Sequence, residues 1–332
     1  MSGTKSSADR AGKQSARHFQ VAPVTRAVRL ALAATTLALA GTGAAYAGTC
    51  STTANTTQCN GGFTDTLSFP DAADLTLVVG DGSTPTSVTP GPGAGGIDVS
   101  GDGAIGITSN ASIATYGADG LHAYSTGSTH VTNNGDITTY VTGRGQEGID
   151  ASANGSVTVA NNGSVAAYGY SSYDVTAVRA ETVGCGCTAS VDNGTDASII
   201  AFATDGSAIG VYAYAGAGHV DVDNAGYVGA FSRNGLADGI FAAGVDADVH
   251  NTGDIVAEGY SWAAGVEAEG SDLTIVRNDG TIEAYASAYG GQAFGIYAAG
   301  GDGGTTVDNT GSIAATGYYA SGIDASATGH VG

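Results

Sequence analysis

An asparagine two residues after a valine recurs seven times in this chain, at Asn133, Asn161, Asn193, Asn224, Asn251, Asn278 and Asn309. Successive copies are 28, 32, 31, 27, 27 and 31 residues apart. In six of the seven a glycine follows two residues after the asparagine, and an isoleucine or valine four after it. At the exception, Asn193, Gly194 follows at once and the apolar residue slips to Ile199. A period of this length is the mark of a solenoid, in which each repeat buries its apolar face on its neighbours.

Three short runs make up each repeat. The first is the Val-x-Asn segment, and the second starts at the isoleucine or valine after the glycine, as in Ile113-Ala114-Thr115-Tyr116. The third is a Gly-Ile-x-Ala box, spelled Gly148-Ile149-Asp150-Ala151, Gly239-Ile240-Phe241-Ala242 or Gly322-Ile323-Asp324-Ala325. Alternation turns the Ile and Ala of each box inward and the residue between them outward. The chain is therefore expected to be all-β: a parallel, right-handed, three-faced β-helix of about eight coils over residues 95–332, rising about 4.8 Å per coil. The repeated asparagines are expected to stack as a side-chain ladder at the turn between the first two strands.

Composition agrees where it bears on this. All five prolines (Pro23, Pro70, Pro85, Pro90 and Pro92) precede the clear repeats, as expected if the body consists of internal strands whose amides must all donate. Residues 1–47 read as a cleaved signal peptide. They have a basic stretch (Lys5 to Arg29), an apolar run from Leu30 to Ala40 and a small-residue cleavage site at Ala45-Tyr46-Ala47. The apolar run is too short for a permanent membrane span. Beyond the leader remain Arg144, Arg179, Arg233 and Arg277, no lysine, and 30 of the 31 acids, a formal charge of −26. Such a chain lacks the cations that displace counterions from phosphate backbones, which argues against nucleic-acid binding. Its acidity favours solubility, and no dedicated calcium loop is evident.

Residues 48–94 read as an N-terminal cap over the end of the sheet, with Cys50 and Cys59 closing a small disulfide loop. Cys185 and Cys187 are expected to form a disulfide stapling an inserted loop between coils, in preference to a redox pair or a zinc site, since no histidine flanks them at a ligand spacing. The repeat is still running at Val331-Gly332, so the chain is expected to be truncated at that end, part of a longer product.

Together, the N-x-G-x-I and G-I-x-A repeats, the long basic leader and the Cys50–Cys59 pair resemble the passenger domains of autotransporters, the type V secreted proteins of Gram-negative bacteria. The resemblance covers residues 1–332. It implies export and display at the cell surface, at the outer membrane or in the extracellular space, with a C-terminal outer-membrane barrel beyond the fragment. The chain is read as acting in adhesion, aggregation or biofilm contact through its extended surface, with host or neighbouring-cell surface glycans or proteins as partners.

No catalytic residues, metal ligands or cofactor site are singled out, and the chain is read as not being an enzyme. The alternatives are a structural spacer presenting other domains and a β-helical polysaccharide-degrading enzyme. A metal-assisted lyase would pair clustered Asp ligands with an Arg or Lys base, yet lysine is missing and the four arginines fall at different places in the repeat. The outward box residues, His122, Asp150, Phe241, Tyr297 and Asp324, read as variable surface, and His130, His219 and His330 share one template slot. The candidate ligand-binding feature is an aromatic column, Tyr116, Tyr140, Tyr168, Phe202, Phe231 and Tyr285, interrupted by Glu258 and Thr316. These rings either steady the coils by stacking or form an exposed binding surface.

Overall fold

The computed structural model describes residues 48–332, and the signal-peptide reading of residues 1–47 lies outside them. Among the described residues every regular element is a strand. The second strands of successive coils form one ten-stranded parallel sheet, so the solenoid has ten coils where eight were expected. The two extra coils come from residues 48–94. There Thr56–Asn60 pairs in parallel with Thr76–Val79, and Leu67–Ala73 with Ile97–Asp102. Their spelling departs from the repeat, but their strands belong to the same ladders. Only Thr49–Thr53 is antiparallel, folding back on Thr56–Asn60 with Cys50 opposite Cys59 and the two disulfide-bonded. This hairpin covers the free edge of the first coil on one face.

Register follows the hydrophobic pattern. Ile113, Ile137, Val165, Ile199, Val228, Ile255 and Ile282 stack one above another in the second sheet. The box residues Leu121, Ile149, Val178, Val211, Ile240, Val266 and Ile296 do the same in the third. All are buried. At roughly 1.5–3 kcal/mol for each fully buried aliphatic side chain, such files supply most of the driving force. A slip by one residue would turn a whole file to solvent.

Polar groups inside the turn are matched to one another. From Asn133 to Asn309 each side-chain Nδ2–H donates to Oδ1 of the next asparagine, at 2.7–2.9 Å. In most coils the same nitrogen also donates to the carbonyl of the glycine two residues on, as Asn133 does to Gly135 at 3.0 Å. Asn193, whose glycine is displaced, donates instead to the Tyr227 carbonyl at 3.3 Å. A second, exposed ladder runs Asn162 to Asn134 to Asn110, each link 2.9 Å. The disulfide between Cys185 and Cys187 lies within a single turn and does not join two coils.

The third strand begins at a tight corner, and this corner shapes the outer surface. A Cβ on Gly239 would stand 2.4 Å from Ile255 Cγ2 and 2.5 Å from the Gly265 carbonyl oxygen. Gly120, Gly148, Gly210, Gly265 and Gly295 are equally crowded. Glycine here permits close approach of two backbones. Outward side chains on either side of the corner enclose a short groove in the coils that carry Ile209, Phe241 and Glu267.

Candidate functional site

The aromatic column aligns in register: Tyr116, Tyr140, Tyr168, Phe202 and Phe231 are paired across consecutive strands, followed by Glu258 and Tyr285. It is not one exposed surface, however. Tyr116 and Tyr285 are 54% and 46% exposed, whereas Tyr168 and Phe231 are 8% and 7% exposed. Ring contacts link Tyr116 to Tyr140 at 6.2 Å and Tyr140 to Tyr168 at 5.7 Å, while Phe202 meets Tyr170 at 6.5 Å. Tyr168 and Phe231 are buried and Tyr140 and Phe202 half-buried, so the column is well exposed only at Tyr116 and Tyr285.

The groove at the box corner is lined by residues that looked unrelated in the sequence. Down successive coils, the outward box position carries Asp98, His122, Asp150, Arg179, Tyr212, Phe241, Glu267 and Tyr297. Three residues upstream, across the corner, stand Glu147, Thr176, Ile209, Asp238, Ala264 and Phe294. The file is charged at one end and aromatic at the other.

At the charged end, His122 Nδ1 lies 2.9 Å from Asp98 Oδ1, and its Nε2 lies 3.8 Å from Asp150 Oδ2. Arg179 Nε donates to Glu181 at 2.9 Å, and its Nη1 lies 3.8 Å from Glu147 Oε1. Asp119, in the turn one coil earlier, accepts the backbone N–H of Glu147 at 2.7 Å. One oxygen from each of Asp119, Glu147 and Asp150 falls within 4.8 Å of the others, a spacing that could hold a metal ion. Burial pushes the Glu147 carboxyl up to about 8, and the charges of Asp150 and Asp119 push the same way. Burial also raises Asp119 and Asp150. Burial alone would lower His122 and Arg179, but the hydrogen bonds to Asp98 and Glu181, together with the surrounding carboxylate charges, more than reverse it, so both hold their protons more tightly than usual.

The aromatic end begins where the Arg179 guanidinium lies 5.5 Å over the Tyr212 ring. Tyr212 and Phe241 stack at 5.1 Å with planes 10° apart. Trp262 packs on Phe294 at 4.7 Å and on Tyr297 at 5.9 Å. Between these groups opens a recess of about 300 Å³ lined by Ile209, Tyr212, Leu236, Asp238, Phe241, Trp262 and Glu267. Trp262 Nε1–H donates to Asp238 Oδ1 at 2.9 Å. Asp238 and Glu267 line the same recess, near enough for the Asp238 charge to bear on the Glu267 carboxyl.

Two raised carboxyls in one recess have a consequence for stability. Burial pushes Asp238 up to about 6, against its hydrogen bonds, and pushes Glu267 up to about 7 with help from the Asp238 charge. A carboxyl raised in the folded chain binds a proton more readily there than when unfolded. Its contribution is therefore fullest below about pH 4 and is lost as pH rises through about 6 and 7. Asp238→Asn keeps an oxygen for Trp262 and removes one charge. Melting curves between about pH 5 and 8 should fall for the wild-type chain and be flatter for the variant, with a gap on the order of 2 kcal/mol at the upper end. Parallel curves would show that Asp238 is not raised in the folded chain.

The sequence reading passed over Asp119, Glu147, Asp238, Trp262 and Phe294. The outward box position read vertically, coil on coil, segregates charge from aromatic rings and marks this face, but none of these five occupies it. No protein-family model, no curated protein and no solved structure matches this chain.

Proposed function

We propose that the chain is the rod of a surface-displayed, autotransporter-like passenger, acting as an adhesin that holds an extended, neutral polysaccharide in the box-corner groove without catalysing a reaction. The observation carrying this reading is the aromatic half of the groove. Stacked Tyr212 and Phe241 face the Trp262 cluster across a recess containing two carboxyls. Such a lining suits a sugar, whose C–H faces lie on rings while its hydroxyls meet a few fixed polar groups. One coil's rise of about 4.8 Å is close to the length of one sugar residue, so a chain laid along the rod meets successive coils in register. The acidity of the groove disfavours polyanionic glycans.

A second reading, a metal-assisted polysaccharide lyase, draws on one observation: Arg179 stands beside the carboxylates Asp119, Glu147 and Asp150. Its base would have to be Arg179, which is bound to Glu181 and holds its proton more tightly than a free guanidinium. Hydrolysis is a poorer match still. It needs two carboxyls about 5 to 9.5 Å apart on opposite sides of the sugar, one of them keeping its charge, whereas burial pushes both Asp238 and Glu267 up.

The purified protein should be retained by immobilised neutral polysaccharides, and Tyr212→Ala with Trp262→Ala should weaken retention roughly a hundredfold. Tyr116→Ser with Tyr140→Ser, on the other sheet, should leave retention unchanged. If the second pair abolishes binding and the first does not, the aromatic column is the binding face. If the wild-type protein binds nothing, the rod is a spacer, and release of unsaturated oligosaccharides would establish the lyase.

A further inference from the structure

We infer that Asp119, Glu147 and Asp150 form a binding site for one divalent cation of the calcium type. The site is assembled from two adjacent coils. Glu147 and Asp150 flank the Gly148 corner of one coil, and Asp119 reaches in from the turn of the coil before it. One oxygen of each is committed to a neighbour: Asp119 Oδ1 to the Glu147 amide, Glu147 Oε1 towards Arg179, Asp150 Oδ2 towards His122. These contacts aim the carboxylates and leave each a second oxygen to give.

Burial marks this cluster off from the many exposed acids of the chain. Glu147 is only 6% exposed, and its Oε2 finds no hydrogen-bond partner among the described residues. The same is true of Asp150 Oδ1. A buried carboxylate oxygen with no donor is costly unless a proton or a cation meets it. The nearby cations do not neutralise the trio, because Arg179 is held mainly by Glu181 and His122 by Asp98. A single cation enclosed by the three free oxygens satisfies both orphaned atoms at once.

The donors and their spacing select the ion. Three carboxylates and no thiol or unengaged imidazole make a hard, all-oxygen site. Magnesium dehydrates reluctantly and demands a near-ideal octahedron, so carboxylates drawn from two coils suit calcium's larger and more flexible shell. The three donor oxygens lie within 4.8 Å of one another, a span that calcium, bound at about 2.4 Å, can bridge. Water and nearby carbonyls complete the shell.

Titration of the metal-stripped full-length protein with calcium chloride, followed by calorimetry and thermal melting, tests the inference without any glycan present. One saturable equivalent should bind and raise the melting temperature, and magnesium chloride should compete weakly. Glu147→Gln and Asp119→Asn should each weaken binding roughly tenfold or more, while Asp223→Asn, an exposed acid on another face, should not. Circular dichroism without calcium shows whether each variant is folded. Glu147→Gln is expected to be about as stable as the metal-free wild type, since an amide replaces a buried carboxyl of the same shape. Absence of saturable binding, or binding unchanged in both trio variants, would overturn the site.

Discussion

Replacing Asn224 with alanine is expected to split the rod's unfolding into two transitions. Asn224 is 2% exposed and in the middle of the asparagine ladder. Its Oδ1 accepts from Asn193 Nδ2 at 2.8 Å, and its own Nδ2 donates to Asn251 Oδ1 at 2.7 Å and to the Gly226 carbonyl at 3.3 Å. The alanine removes all three bonds and strands two buried groups, an amide nitrogen below and a carbonyl oxygen above. At about 1–3 kcal/mol for each unsatisfied group, the loss should be on the order of 4 kcal/mol. A solenoid's stability is a sum of nearest-neighbour terms, so the deficit falls on the two interfaces next to Asn224 and is not shared along the rod. Amide exchange should accelerate in the strands His219–Asn224 and Leu236–Asn251 well before it does elsewhere. Asn309→Ala is the control. That side chain is exposed and bonded to Asn278 on one side, so it should cost less than about 1 kcal/mol. Equal losses in the two variants would show that the ladder is a by-product of coil stacking.

The ladder was legible because each coil repeats the same problem. A buried amide that donates upward and accepts from below can be solved once and copied, and the copies appear in the sequence as spaced asparagines. The inward files of Ile, Val and Ala were legible for the same reason. The first two coils were not, since residues 48–94 keep the apolar alternation without the Val-x-Asn or Gly-Ile-x-Ala spelling. The groove was hidden for a different reason. Its chemistry occupies the one box position that the fold leaves free, where Asp150, Arg179, Tyr212 and Phe241 share no residue type. Only the vertical register brings them together, and repeat lengths that vary from 27 to 32 residues conceal that register. Asp119 and Glu147 were harder still, because they precede the box and converge only through the glycine corner. The aromatic column was placed correctly in register. Its exposure was misjudged at Tyr168 and Phe231, since alternation tells which way a side chain points and not what lies over it.

Gly239→Val should destroy both the coil junction and the groove. A first added carbon would lie 2.4 Å from Ile255 Cγ2 and 2.5 Å from the Gly265 carbonyl oxygen, each inside van der Waals contact. One methyl can nevertheless be absorbed at this place in the repeat. The fifth coil carries Ala177 there, paired in register with Gly148's position and fully buried. Gly239→Ala is therefore expected to be mild, near 1 kcal/mol. Valine adds two branches between a backbone and a filled core, and no rotamer avoids both neighbours. Overpacking of this kind costs about 3 kcal/mol or more, with the strain relieved by pushing Ile255 or the Gly265 strand outward. Either movement displaces Asp238 and Phe241, which flank Gly239 in sequence, and Glu267 in the next coil. Loss of polysaccharide retention should therefore accompany the drop in melting temperature, and protease should cut near residues 236–242. The alanine variant, with the corner intact, should bind as the wild type does. A valine variant that melted normally would mean that the corner has slack, and that glycine at the box serves the turn's conformation and not close approach.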